Sequence, residues 1–362
     1  MATKEKTVFS AMDNNLDAVV LMNAVDPNLD SCFFYATGLT AGLFEGCAAI
    51  IEPDGIEVVT SELEALSASE AGLRTAIFEN GQDRASIMKK KLSRYSKIGI
   101  NANELTVANH RLIRKLSGGA KLIDVSKELA SARMIKQPDE LARIRRACSI
   151  ASTVGESIPE IIREGMTETE AAAELNYRMM RLGASHAAFD TTVAFGAKSA
   201  EPHYSPSSTR RLRKGNLALF DFGAAYKRYV SDITRTFVCG SPSRRQSDIY
   251  DTVLEAQEAA IRAIHDGVSG AAVDEAARDI IDRSKFSGRF IHSTGHGLGV
   301  SVHDPGSISS ANDMTLRKGM VLTVEPGIYI RRFGGVRIED DILVTKSGCR
   351  VLTSCSKAFR TL

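Results

Sequence analysis

The sequence predicts a two-domain chain: an α/β domain over residues 1–129, then an α+β domain over residues 130–362 with internal pseudo-two-fold symmetry. Three observations carry this. The chain has 362 residues, where a single domain averages roughly 150. Strand and helix patterns alternate through the first third. In the second part a frame recurs: RKGNLALFDFG at 213–223 and RKGMVLTVEPG at 317–327, an offset of 317 − 213 = 104.

The first domain is read element by element. LDAVVLMN (16–23) is an apolar, β-branched strand, and GCAAIIEPDGIEVVT (46–60) is a hairpin turning at Pro53-Asp54-Gly55. RASIMKKKLSRY (84–95) and NELTVANHRLIRKL (103–116) have helical periodicity, with KIGIN (97–101) as a strand between them. Gly118–Gly119 ends the second helix, and KLIDV (121–125) is the next strand. No catalytic cluster is evident in this domain.

The boundary is placed near Leu129, inside a helical stretch (126–147) that Pro138 interrupts by starting a new helix. In the second domain, Thr167 and Glu170 form a capping box that opens a helix. Further helices are expected at 247–267 and 271–284, with the remaining segments strand-like.

Composition narrows the function. Hydrophobic residues make up 43% and charged residues 25%, as in globular soluble proteins. The net charge of 46 − 44 = +2 gives no electrostatic case for nucleic acid. MATKEKTVFS lacks the apolar core of a signal peptide, and no apolar run reaches the ~18 residues that span a bilayer. The six cysteines are scattered without a CxxC, as expected for reduced thiols in the cytoplasm.

Two aspartates stand out. Asp221 lies in the apolar run 217–222, and Asp232 lies in 229–238, which alternates like one half-buried strand. Asp is depleted in strands and costly to bury unpaired. Alone, each could cap a turn. The repeat argues otherwise, because Glu325 occupies the place of Asp221, and a second acid, Glu339, follows it as Asp232 follows Asp221. Four converging carboxylates repel and raise each other's pKa. Two divalent cations would cancel their formal charge, −4 + 4 = 0. A nitrogen ligand is expected within IHSTGHGLGVSVHDPG (291–306), which holds His292, His296 and His303. Gly295, Gly297 and Gly299 make a helix improbable there, and the HExxH glutamate is absent. A glycine-lined strand or turn fits better.

DFG…SDITRT, HSTGHGLG…VHD, VEPG and RIEDD resemble the pita-bread metallopeptidases, most closely the Xaa-Pro peptidases, prolidase and aminopeptidase P. The resemblance covers about residues 130–362, and the first domain is more weakly similar to the creatinase/prolidase N-terminal domain. The resemblance implies Asp221, Asp232, His296, Glu325 and Glu339 as metal ligands, with Asp232 and Glu339 bridging. Asp221 would complete one metal's shell, and His296 with Glu325 the other's. Four oxygen-donor residues and an imidazole suit Mn²⁺ or Co²⁺, and affinity alone does not exclude Zn²⁺ or Fe²⁺. A water bridging two cations loses a proton near neutral pH and becomes the nucleophile. By resemblance Glu325 shuttles the proton, His303 stabilises the oxyanion, and His203 and His292 face the substrate. Arg337, two residues before Glu339, shares its strand face. His292 and Arg337 are open to two readings, support of the ligands or contact with substrate. Asp340 and Asp341 read as a solvated acidic edge, and His110, His186 and His265 as ordinary surface or core residues.

The implied substrates are Xaa-Pro dipeptides or short proline-containing peptides, and the implied assembly is a homodimer. The compact chain, without large insertions, favours dipeptides. One departure points to longer peptides: Ser307 stands where some prolidases carry an arginine for the substrate carboxylate. Non-catalytic binding modules of this fold have typically lost ligands, whereas all five positions are filled here.

Overall fold

A computed structural model describes residues 4–12, 15–312 and 314–362. The chain divides into two compact units, Met1–Arg133 and Met134–Leu362.

The first unit is built on a six-stranded sheet of β1 (Ala18–Met22), β2 (Ala48–Glu52), β3 (Gly55–Ser61), β4 (Arg74–Phe78), β5 (Lys97–Ile100) and β6 (Lys121–Asp124), in the order β4-β3-β2-β1-β5-β6. The hairpin expected at Pro53–Gly55 is present, with Glu52 paired to Gly55. The helix Gly81–Leu92, capped by Asn80, and the helix Val107–Leu116, capped by Thr106, bury Met88, Leu92, Ile113 and Leu116 against Val20, Ile50 and Ile98. Four elements were not anticipated: the helices Lys4–Ser10, Ser31–Thr37 and Glu62–Glu70, and β4. Ser31–Thr37 reads SCFFYAT, whose aromatics have little helical preference. Burial of Cys32 through Thr37 and the Asp30 cap on the Cys32 amide hold it instead.

The second unit contains the helices Pro138–Ile161, Glu168–Arg181, Arg244–Ala263 and Gly270–Asp282. Pro138 starts its helix and Thr167 closes the expected capping box with Glu170. The strands are β7 (His186–Ala187), β8 (Thr192–Phe195), β9 (Leu217–Phe222), β10 (Ala224–Tyr226), β11 (Tyr229–Val230), β12 (Ile233–Val238), β13 (Gly295–Gly297), β14 (Asp304–Ile308), β15 (Val321–Val324), β16 (Gly327–Ile330), β17 (Gly334–Arg337), β18 (Asp340–Val344) and β19 (Cys349–Val351).

The repeat folds as two bent antiparallel hairpins. In the first, β9 pairs with β12 and β10 with β11; in the second, β15 pairs with β18 and β16 with β17. The segment 229–238 is therefore not one strand, as its alternation implied. It breaks at Ser231–Asp232, and its counterpart breaks at Ile338–Glu339. The two acids stand in the breaks, where the backbone leaves the ladder and frees their side chains to turn inward.

The bend in the first hairpin requires glycine. A Cβ on Gly223 would run into the Ser231 carbonyl carbon and oxygen, both backbone atoms that cannot rotate away. Gly223→Ala is expected to destabilise the protein by about 1–3 kcal/mol, the usual range for overpacking. A denaturant titration measures this, and an unchanged midpoint would show that the crossing is not tight.

Candidate metal centre

The bent hairpins bring the acids together. Asp221 is the penultimate residue of β9, paired across to Thr234 on β12. Glu325 follows β15 directly, its amide donating to the Thr294 carbonyl. With Asp232 and Glu339 from the breaks, all four line one cavity of about 470 Å³. His296 enters from β13, which is a strand and not a helix. Gly295 allows this approach, because a Cβ there would strike the Thr323 carbonyl of β15. His203, His292, His303 and Arg337 line the same cavity, so all nine residues singled out from the sequence converge. Phe189, Asp190, Tyr204 and Val302 form part of the remaining wall.

Donor atoms of Asp232, His296 and Glu339 lie within 4.8 Å of one another. His296 Nε2 is 3.3 Å from Glu325 Oε1 and 3.7 Å from Asp232 Oδ2. Its Nδ1 is 3.1 Å from the Gly297 carbonyl, so that nitrogen carries the proton and the Nε2 lone pair faces the acids. This is the tautomer a metal-ligating histidine needs. The Thr323 hydroxyl accepts the His296 backbone N–H at 3.0 Å and donates to Glu325 Oε1 at 3.3 Å.

Burial, with like-charged neighbours adding to it, pushes the Asp232 carboxyl well above the usual carboxylate range. Burial does the same to Glu339, next to Glu325 and Asp221, and it moves Glu325 up to about 7. It lowers His296 and His303, and His292 to about 4, where the Arg337 charge adds to the effect. Asp232 Oδ1 is buried without a hydrogen-bond partner among the described residues. An orphaned carboxylate oxygen among acids that resist ionisation, beside a correctly oriented imidazole, fits divalent cations.

Arg337 reaches three groups. Its Nη2 pairs with Asp221 Oδ2 at 2.5 Å, Nε donates to the Thr234 hydroxyl at 2.9 Å, and Nη1 donates to the Tyr329 hydroxyl at 3.1 Å. Tyr329 Oη lies 2.7 Å from His292 Nε2, while His292 Nδ1 donates to the Ser293 carbonyl. Tyr329 thus ties Arg337 to His292, and the sequence reading missed it. Its place on β16, in the copy of the repeat that also holds Glu325, was the available signal. His203 and His303 are solvent-exposed, and the His303 ring meets the His296 ring edge-on at 4.4 Å.

The solvated acidic edge expected at Asp340 and Asp341 is overturned. They are 1% and 0% exposed. Asp340 pairs with the buried Arg235 at 2.7 Å and also accepts from Gln257 and Thr353. Asp341 accepts the Asp232 amide N–H at 2.9 Å. The signal that was passed over is Arg235: an arginine inside a fully buried strand needs a buried acid.

Residues 142–346 match metallopeptidase family M24, and residues 10–135 match the creatinase/prolidase N-terminal domain. The chain is 36% identical to the Xaa-Pro dipeptidase of Pyrococcus furiosus, over 98% of each chain. Among solved structures, it resembles an Xaa-Pro dipeptidase from Bacillus anthracis, with a TM-score of 0.91, 33% identity and 99% of each chain covered. It also resembles an X-Pro aminopeptidase from Thermotoga maritima, with a TM-score of 0.90 and 32% identity over 96% of this chain and 98% of the other.

The buried acids set a pH dependence for the metal-free protein. A carboxyl whose pKa is raised on folding holds its proton more firmly when folded. Its contribution is fully present below the unfolded value, ~4, and is lost as pH rises through the folded value. Glu325 at about 7 and Asp341 at about 8 place that loss near neutrality. The lowered histidines act oppositely, but only below their unfolded value of about 6.5. The melting temperature of chelator-treated protein is therefore expected to fall between about pH 6.5 and 8, and saturating Mn²⁺ should shrink that slope. Scanning calorimetry with and without Mn²⁺ checks this, and slopes that match would contradict it.

Proposed function

The chain belongs to metallopeptidase family M24, and from that premise we propose that it hydrolyses the bond before proline in Xaa-Pro dipeptides. The observation that carries this reading is the convergence of Asp221, Asp232, His296, Glu325 and Glu339 on one cavity that also contains His203, His292 and His303. The relatives named for Xaa-Pro dipeptidase activity match over nearly their whole length.

In this reading five residues would hold two divalent cations: Asp232 and Glu339 would serve both, Asp221 would serve one, and His296 with Glu325 would serve the other. Oxygen donors with one imidazole favour Mn²⁺ or Co²⁺. The chemistry that two bound divalent cations supply is polarisation of the scissile carbonyl and a water acidic enough to attack near neutral pH. Glu325 takes the proton released by that water on a carboxylate oxygen and passes it to the proline nitrogen. His303, whose pKa is held below its usual value by partial desolvation and by the neighbouring His296, donates an N–H to the developing oxyanion. The proline nitrogen has no N–H and departs as a secondary amine, which ordinary peptidase sites handle poorly. His203 is assigned to the substrate side; His292 lines the same cavity, and the bonds of its two ring nitrogens to Ser293 and Tyr329 support the reading in which it braces Arg337. The six free cysteines accord with a reducing cytoplasm, and the homodimer implied by resemblance is part of the same proposal.

A second reading, cleavage of longer Xaa-Pro peptides, rests on one observation. Among the described residues lining the cavity, Arg337 is the one arginine or lysine, and Asp221, Thr234 and Tyr329 already engage it. Ser307 lies on β14, paired across to His296.

Dialysis against a chelator should abolish peptidase activity, and Mn²⁺ or Co²⁺ should restore it. Rates on Met-Pro and Ala-Pro, compared with Xaa-Pro-Ala tripeptides, separate the two readings. Cleavage of tripeptides alone would favour the second, and equal cleavage of Xaa-Ala and Xaa-Pro would remove proline selectivity altogether. Asp232→Asn should lower the metal content at both sites, whereas Asp221→Asn should mainly empty one. Two metals per chain in the Asp232 variant, by elemental analysis without excess metal, would contradict the bridging role.

A further inference from the structure

Asp232 and Glu339 stand in strand breaks, so their amides have no partner within their own hairpins, and each must find an acceptor across the pseudo-symmetry axis. The Glu339 amide donates to the Thr234 carbonyl at 3.1 Å, and the Thr234 hydroxyl donates to Glu339 Oε2 at 2.6 Å. The Asp232 amide donates to the Asp341 carboxylate, Oδ2, at 2.9 Å. Thr234 is two residues past Asp232, and Asp341 is two residues past Glu339. Each acid is thus held by the residue two beyond the other, once through a backbone carbonyl and once through a side chain.

We propose that Asp341 is a positioning residue for the metal centre, fixing the Asp232 carboxylate through its backbone amide as Thr234 fixes Glu339. This rests on the dinuclear metal reading above. The surroundings of Asp341 argue against mere core filling. It is fully buried, paired across to Thr323, and touches Cys148, which belongs to an apolar cluster with Ile144, Ala225 and Leu298; an aliphatic side chain would be the cheaper occupant there. The Cys148 thiol, on the helix Pro138–Ile161, donates to the same Oδ2 at 3.3 Å and fixes its direction. Asp341 Oδ1 is buried with no hydrogen-bond partner among the described residues, so this carboxyl is kept at a penalty. Without the acceptor, the Asp232 amide would be orphaned. The break would shift to satisfy it, taking the ligand oxygen out of place; a ligand constellation tolerates only about 0.5 Å of such movement.

The test compares D341L, which keeps bulk but removes the acceptor, with D341N, which keeps an acceptor oxygen. Chelator-stripped full-length proteins are titrated with Mn²⁺ by calorimetry, the visible spectra of their Co²⁺ forms are recorded, and the metal-free melting temperatures are measured. D341L is expected to bind Mn²⁺ about 10–100-fold more weakly at both sites, the usual loss when a supporting partner of a ligand is removed, and to alter the Co²⁺ bands. Its metal-free form should melt no lower than wild type, since a buried carboxyl beside other acids has gone. D341N should recover most of the affinity. Should D341L fail to fold, D341A removes the acceptor with less bulk. Wild type binding two Mn²⁺ with D341L matching it would overturn this inference alone, as would D341N losing as much affinity as D341L. A metal-free D341L that melts lower, with affinity falling in step, would make Asp341 a core residue only. Wild type taking up no Mn²⁺ would overturn the metal reading itself and this inference with it.

Discussion

Repulsion among buried carboxylates organises the second unit. Asp221, Asp232, Glu325 and Glu339 share one cavity, and burial among like charges pushes the carboxyls of Asp232, Glu325 and Glu339 upward, so that these three resist carrying full charge together. The surrounding structure concedes one strong internal cation, Arg337, and spends it on Asp221. The rest of the support is neutral: threonine hydroxyls, backbone amides and a histidine whose proton faces away from the acids. That leaves the negative potential of the centre largely uncancelled, as a site for divalent cations requires.

A second buried charge sits one layer behind. Arg235 pairs with Asp340 and also donates to the carbonyls of Thr234, Glu339, Cys355 and Ser356. It therefore binds both hairpins to the segment that follows β19. Breaking a buried pair by removing one partner typically costs about 3–5 kcal/mol. Through its bonds to the Thr234 and Glu339 carbonyls, Arg235 links the two strand breaks and the acids that stand in them.

Much of this was legible in the sequence because it repeats. The matching acids at 221 and 325, and at 232 and 339, marked the site before any element was known, and Gly295, Gly297 and Gly299 made a helical zinc motif improbable. The strand breaks were not legible. Alternation in 229–238 continues through Asp232, and only the pairing partners show that the ladder stops there. Asp340 and Asp341 were misread for a related reason. Two acids after an acid look solvated until the buried arginine and the backbone amide they serve are in view. Tyr329 was missed because its one signal was its place in the repeat copy that holds Glu325, and a tyrosine in an apolar strand shows its role when its hydroxyl finds partners.

The cross-holding of the two hairpins also bears on how the chain folds. Asp232 and Asp341 are 109 residues apart, and Thr234 and Glu339 are 105 apart. Contacts of such range close late, after the entropy of a long loop has been surrendered. Neither hairpin can complete its half of the centre alone, so a chain emerging from the ribosome presents no finished cation site until the second copy of the repeat has been made and docked. Metal uptake would then mark the end of folding rather than guide its beginning.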